Sequence, residues 1–226
     1  MNIIALDSSQ EVLSIALETE SGIYYTEMDA VQRHSELMME GINYLVKLSG
    51  IKRDELELAA CMKGPGSFTG LRIAYSTAKG LSLALGIPIK TVPTLDCLAF
   101  HLRELPFYVL PVMDAKQGRF YTAIYREGML LTEYMDIDIN SIKEELKKAG
   151  FTSREKIILT GSGASLLYSR LQLDNSIVDN QYRYGRAREL LEIIKSGKII
   201  DNEDVNSGPM YIRKSDAEIQ RQLKKV

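Results

Sequence analysis

Apolar and polar positions along this chain fall into two periods, and the switches between them mark its elements. Residues 2–6 are an apolar run ending on Asp7-Ser8-Ser9, and 12–17 and 23–28 read as two further strands about the turn Glu20-Ser21-Gly22. The period then lengthens. Residues 34–49 predict a helix closed by Gly50, 58–62 a short strand entering Gly64-Pro65-Gly66, and 69–85 a second helix closed by Gly86. A strand at 88–92 and a helix over 94–104 complete this stretch.

The same order then begins again. An apolar strand at 107–113 ends on Asp114-Ala115, and 119–126 with 129–135 form a hairpin about Glu127-Gly128. A helix over 141–149 and a strand at 156–159 follow, and Gly161-Ser162-Gly163 opens another helix. Residue identities barely match between the stretches, but element order does. The reading is of two similar α/β halves, 1–104 and 105–212, around a cleft, with chance recurrence of common elements as the alternative. Helical stretches at 187–196 and 216–225 break the symmetry. They pack back across the halves, with 213–226 against the first.

Two helices carry more apolar surface than one sheet needs. At about 100° per residue, the apolar residues Leu37, Met38, Met39, Ile42, Tyr44, Leu45, Val46 and Leu48 cover an arc of roughly 220° on helix 34–49, whereas a helix lying on a sheet needs a stripe little over ~100° wide. Helix 69–85 has a polar face of little more than Arg72 and Lys79, and Gly70, Ala74, Ser76, Ala78, Gly80 and Ala84 are small enough for another helix to approach closely. Either both are sandwiched inside their own domain or both present a second apolar face to a partner chain. Two neighbouring helices with the same surplus favour the partner.

Composition narrows the chemistry. Lys+Arg number 28 against 30 Asp+Glu, giving a net charge of −2, with 45% hydrophobic residues. That balance excludes disordered, collagen-like and disulfide-dense classes, and a surface wholly devoted to gripping nucleic acid. His34 and His101 make no His-x-x-x-His pair, and Cys61 and Cys97 make no Cys-x-x-Cys, so no local metal motif exists. The start, MNIIALDSS, has no basic segment before its apolar run, and no apolar stretch is long enough to span a bilayer; the expectation is a soluble, cytoplasmic protein.

KGPGSFTGLR, residues 63–72, is the most distinctive run. It fits neither the Walker A pattern nor Gly-x-Gly-x-x-Gly. It is either a structural turn with Ser67 or Thr69 capping the helix, or a loop whose N–H groups meet an anion. Asp7-Ser8-Ser9 and Asp114 end strands that point to the cleft, where a carboxylate could hold a metal–phosphate. No nucleophile elbow or triad spacing is present. His34 reads as a capping or surface residue and His101 as a satisfied core or surface one. The basic residues Arg213, Lys214, Arg221, Lys224 and Lys225 form either a solvated helix face or a nucleic-acid contact, the former being favoured.

Taken in order, IIALDSS, RHSELMMEGINYLV, KGPGSFTGLRIAYSTAKGLSLALGIP, VMDAKQGRFYTAIY and PMYIRKSD resemble the bacterial TsaB (YeaZ) family over nearly the whole chain. The resemblance is densest at 7–9, 34–35 and 64–88 and thin over 136–205. It implies an α/β ASKHA (actin/Hsp70/sugar-kinase-like) fold of two duplicated RNase H-like halves, mixed sheets flanked by helices. It also implies a non-catalytic role in making threonylcarbamoyladenosine on tRNA, with a TsaD-like paralogue carrying the transfer, a TsaE-like ATPase completing the complex, and a homodimer forming when the chain is alone. The paralogue's metal-binding His-x-x-x-His falls on residues 94–101, where only His101 stands, so neither a catalytic residue nor a metal ligand is implied.

The partner interface that the resemblance implies comprises Leu37, Met38, Gly41, Tyr44, Leu45, Leu48, Gly70, Leu71, Ala74, Ala78 and Leu81. Vestigial nucleotide contacts fall on Asp7, Ser8, Ser9, Asp114, Gly161 and Gly163. No firm cofactor is implied beyond weakly held ATP or ADP with magnesium at the level of the complex, and tRNA is the substrate of that complex. The alternative reading is a nucleotide-hydrolysing ASKHA enzyme with its site in the cleft. No peptidase constellation is present.

Overall fold

The computed structural model describes residues 1–181, 183–197, 201–203 and 207–212. Its first sheet grows around β1 (Ile3–Asp7), of which every residue is buried. A strand with no polar face must be covered on both sides. β2 (Val12–Thr19) and β3 (Gly22–Asp29) extend the sheet antiparallel on one flank. After α1 (His34–Ser49), β4 (Leu58–Gly64) joins parallel on the other. α2 (Phe68–Leu85) then leads to β5 (Ile89–Pro93), parallel to β4, and α3 (Thr94–Phe100) leaves the sheet.

The second sheet repeats this plan with β6 (Tyr108–Asp114), β7 (Arg119–Thr122), the short β8 (Tyr125–Arg126) and β9 (Met129–Leu130), and β10 (Met135–Asp138). α4 (Ile139–Lys148), β11 (Ile157–Thr160), α5 (Ala164–Leu171) and β12 (Ser176–Val178) complete it, and the chain then returns to the first sheet with α6 (Ala187–Ser196) and β13 (Asp201–Glu203). The order β10-β7-β6-β11-β12 matches β3-β2-β1-β4-β5 strand for strand, with the same mixture of antiparallel and parallel neighbours. The repeated order in the sequence is therefore a real duplication.

Alternation along the strands sorts the cores. Ile4, Leu6, Leu13 and Ile15 face Met38, Ile42 and Leu45 of α1 and Ala74 and Ala78 of α2. On the opposite face Ile3, Ala5 and Ala16 meet Leu190, Leu191 and Ile194 of α6. Likewise α3, through Leu95 and Leu98, joins Val109, Met113 and Ile158 of the second sheet. Each half thus lends its last helix to the other half's sheet. A division at 104/105 with 105–212 as one half is corrected accordingly: α6 packs on the first sheet and β13 pairs antiparallel with β5. The predicted packing of residues 213–226 lies outside the described residues.

Three smaller readings change. The predicted 94–104 helix stops at Phe100 and continues as turns, Leu102 donating to the Ala99 carbonyl and Arg103 to that of Phe100. The Pro106 that follows disfavours helix just before it. The predicted long hairpin over 119–135 is split: β7 pairs with the end of β6 and with β10, whereas β8 pairs with the start of β6 and with β9. Between them Ala123 and Ile124 bury themselves and Ile124 N–H turns to Thr132 Oγ1 at 3.1 Å. β12 and β13, each of three residues, give no pattern long enough to read. Among the described residues no helix is long and apolar enough to cross a membrane.

Candidate functional site

The loops expected to line the cleft find their hydrogen-bond partners within the chain. Asp7 is fully buried; its Oδ1 accepts from the N–H of Ser9 at 3.0 Å and from the Ser9 hydroxyl at 2.6 Å, and its Oδ2 accepts from the N–H of Arg186 at 2.9 Å. Ser8 Oγ donates to the carbonyl of Gly70 at 2.7 Å, and Ser67 N–H donates to that of Ser9 at 2.8 Å. A Cβ at Gly70 would collide with the Ser8 carbonyl oxygen. The glycines of the 63–72 run are therefore the condition for seating the start of α2 on the Asp7–Ser9 turn. Ser67 caps that helix by accepting from Gly70 N–H at 3.2 Å; Thr69 does not.

At the end of β6 Asp114 accepts from Lys116 N–H at 2.8 Å and pairs with Lys116 Nζ at 3.0 Å. Partial burial alone would raise its carboxyl; the Lys116 contacts outweigh that and hold it below the ordinary carboxylate value. Gly163 N–H donates to the Val112 carbonyl at 2.9 Å, which sets the Gly161–Gly163 turn against the end of β6. Ser162 N–H crosses to Gln10 Oε1 at 3.0 Å, while the Gln10 carbonyl contacts His34 Nε2 at 2.9 Å. Asp7–Ser9 and Gly161–Gly163 are thus brought together, and Gln10 joins them.

Sequence reasoning passed over the residues that brace this joint. Asp179, just beyond β12, contacts His101 Nε2 at 2.9 Å, Thr160 Oγ1 at 2.8 Å and Gln181 N–H at 3.0 Å. Burial pushes its carboxyl up, but the bonds from His101, Gln181 and Thr160 prevail and bring it to about 2. Arg186 is 1% exposed and stands 3.6 Å from Asp179 and 3.1 Å from Glu189. Nothing local in the sequence marks these pairs, because they join residues far apart in the chain. Among the described residues no group of three or more His, Cys, Asp or Glu is placed to hold a metal ion.

The outer helices divide their apolar arc. On α1, Met38, Gly41 and Leu45 belong to the buried core, Leu37 is half-buried, and Tyr44 (57%), Leu48 (54%) and Met39 (46%) face out. On α2, Gly70, Leu71, Ala74 and Ala78 are buried, Leu81 is half-buried, and Leu83 (68%) is exposed with Thr69, Ser76, Gly80 and Ala84. Seven of the eleven expected interface residues are corrected: Met38, Gly41, Leu45, Gly70, Leu71, Ala74 and Ala78 are already covered by the chain's own core and turns. The arc was wide enough for two faces, but its width alone does not say which edge lies inward.

The polar face of α2 holds the chain's own 207–212 segment. Lys79 Nζ donates to the Ser207 carbonyl, Arg72 Nε to Tyr211 Oη at 3.2 Å, and the Tyr211 ring lies 5.0 Å from that of Phe68. Met210 N–H donates to the Lys63 carbonyl at 2.7 Å, beside Gly64 at φ +114. The basic stretch from Arg213 onward lies outside the described residues.

A duplicated mixed sheet with exchanged terminal helices defines the actin-like, ASKHA class. A Bacteroides thetaiotaomicron protein with an actin-like ATPase fold and unknown function matches at TM-score 0.50 with 9% identity, covering 84% of this chain and 95% of its own. The family model TsaD: tRNA N6-adenosine threonylcarbamoyltransferase matches residues 20–180. The tRNA threonylcarbamoyladenosine biosynthesis protein TsaB of Bacillus subtilis is 28% identical over 96% of both chains. That of Buchnera aphidicola from Schizaphis graminum is 30% identical over 86% of this chain and 93% of its own. YeaZ from Pseudomonas aeruginosa superposes with TM-score 0.77 at 21% identity, covering 93% of this chain and 99% of that one. The chain belongs to the TsaB (YeaZ) family of tRNA threonylcarbamoyladenosine biosynthesis.

Proposed function

We propose that this chain is the non-catalytic scaffold and activating subunit of the complex that makes N6-threonylcarbamoyladenosine on tRNA in the cytoplasm. It pairs through the outer faces of α1 and α2 with a TsaD-like catalytic paralogue. The observation that carries the proposal is the set of Met39, Tyr44, Leu48 and Leu83, between 46% and 68% exposed on two adjacent helices whose inner faces are already satisfied. Solvent-facing Thr69, Ser76 and Gly80 on α2 are small enough for close helix approach. In the absence of the paralogue a second copy takes its place. A TsaE-like ATPase joins the assembly, and tRNA is the substrate of the complex.

Saturation of the cleft loops supports the non-catalytic half of the reading. Both oxygens of Asp7 have donors within the chain, Lys116 neutralises Asp114, and His101 is engaged by Asp179. A nucleotide-hydrolysing ASKHA enzyme needs such carboxylates turned to a metal–phosphate. The test is co-purification with a TsaD-like partner. Tyr44→Glu with Leu48→Asp should abolish it while leaving the circular dichroism of the chain unchanged; unaltered assembly would refute the interface.

A further inference from the structure

An apolar groove of about 730 Å³ lies between the segment joining β9 to β10 and the 207–212 segment. Leu130, Leu131 and Tyr134 form one wall, and Met210 and Ile212 the other. Among the described residues that line it, Glu133 is the single charged side chain. Leu130 and Leu131 are exposed, and none of these residues lies on α1 or α2.

Each wall is fixed by bonds of its own. Leu131 N–H donates to the Ile124 carbonyl at 2.8 Å, Ile124 N–H to Thr132 Oγ1 at 3.1 Å, and the Tyr134 hydroxyl to Asp96 Oδ2 at 2.8 Å. Asp96 is buried in the first turn of α3, so this wall is anchored in the interior. The opposite wall hangs on the first half. Met210 N–H donates to the Lys63 carbonyl at 2.7 Å, and Tyr211 meets Phe68 and Arg72 of α2. The groove therefore runs from one half to the other, with two leucines facing solvent.

The chain itself carries a matching segment. Ile212, a wall residue, is followed by fourteen more, RKSDAEIQRQLKKV. At about 100° per residue, Ile219, Leu223 and Val226 fall within an arc of about 60°, and Arg221, Lys224 and Lys225 fall opposite it. A stripe that narrow suits a groove better than a sheet. Tethering favours this segment over a free partner: Ile219 stands seven residues beyond Ile212, and so short a link gives a local concentration on the order of millimolar. We propose that residues 213–226 dock in this groove of their own chain, with Ile219, Leu223 and Val226 against Leu130, Leu131 and Met210. The basic residues of the stripe's far side then turn to solvent, and Arg213 and Lys214, next after Ile212, bring opposite charge to Glu133. Docking closes a clasp from α2 to the β9–β10 segment, across both halves rather than on the first alone.

A nitroxide spin label on Lys225→Cys tests the docking in the full chain, where Cys61 and Cys97 are fully buried and out of the label's reach. With label and nitrogen-15 on the same molecule, diluted into excess unlabelled chain, the amides of 130–134 should lose their NMR signals and regain them when the nitroxide is reduced. Ile219→Asp with Leu223→Asp should abolish that loss, leave the other amides of the chain unmoved, and speed exchange of the 217–225 amides at least about tenfold. Leu130→Asp, at an exposed position, should abolish it from the groove side. Signal loss seen only when label and nitrogen-15 sit on different molecules would put a second copy in the groove and overturn the proposal. Unaffected amides at 130–134, or a loss that survives Ile219→Asp with Leu223→Asp, would overturn it equally.

Discussion

The side-chain oxygen of Gln10 accepts the N–H of Ser162 at 3.0 Å, so one residue of the first hairpin loop reaches the glycine turn opposite it. The Gln10 carbonyl meanwhile contacts His34 at the first turn of α1. The Gly161–Gly163 turn and α1 are thus linked through Gln10. Gln10→Ala removes the side-chain bond and keeps the carbonyl. The expected cost is about 1 kcal/mol, with faster hydrogen exchange confined to the Ser162 amide and its neighbours. Exchange rates unchanged there would show that the bond does not persist in solution.

The two edges of α1 should respond oppositely to the same chemistry. Leu45 is fully buried against the first sheet, and Leu45→Asp puts a charge into that core; the chain should fail to fold. Tyr44 and Leu48 lie a turn apart on the outer edge, and Tyr44→Glu with Leu48→Asp should shift the melting temperature by no more than about 4 °C while abolishing self-association in sedimentation. A folded Leu45→Asp chain would show that the inner and outer edges have been exchanged.

Much of this architecture was legible in the chain. The duplication was visible because its elements are long and periodic, and α1 and α6 run over the residues that their patterns predicted. The site was harder to read. Asp7 and Asp114 are placed at strand ends as expected, but their partners Arg186 and Lys116 decide what they can do, and Arg186 lies 179 residues from Asp7. Surplus apolar arc announced a second face without distinguishing Leu45 from Tyr44, because neighbouring residues differ by only about 100°. The exchange of α3 and α6 between sheets leaves no local mark, since a helix reads alike whichever sheet covers it.

Gly70 is a packing residue. Gly70→Ala places a methyl against the Ser8 carbonyl oxygen, and backbone must move to admit it. The expected destabilisation is about 1–3 kcal/mol, measured by urea unfolding. Gly80→Ala on the same helix, with no atom near the added carbon, should instead be neutral or stabilising by up to about 1 kcal/mol. Equal effects at the two glycines would contradict the seating of α2 on the Asp7–Ser9 turn.

Acid should loosen the joint at Asp179. Its folded carboxyl, at about 2, lies below the ordinary value of 3.8, so the folded state holds its proton less tightly than the unfolded chain does. The stabilisation is fully present above the ordinary value and is lost as pH falls through the folded one. Asp179→Asn removes that term and leaves His101 without its carboxylate partner, while Arg186 keeps Glu189. The variant should be less stable at neutral pH, and its deficit against the parent should shrink between about pH 4 and 2. A deficit independent of pH would mean that the carboxylate charge contributes nothing.

Reconstitution of N6-threonylcarbamoyladenosine on tRNA tests the central proposal most directly, with a TsaD-like enzyme, its ATPase partner and threonylcarbamoyl-adenylate present and this chain either included, omitted or replaced. Product should depend on the chain, fail with the Tyr44→Glu, Leu48→Asp form, and survive Asp114→Asn, since Asp114 is here a partner of Lys116 rather than a reacting group. Full product without this chain, or product from this chain without the TsaD-like enzyme, would contradict the account.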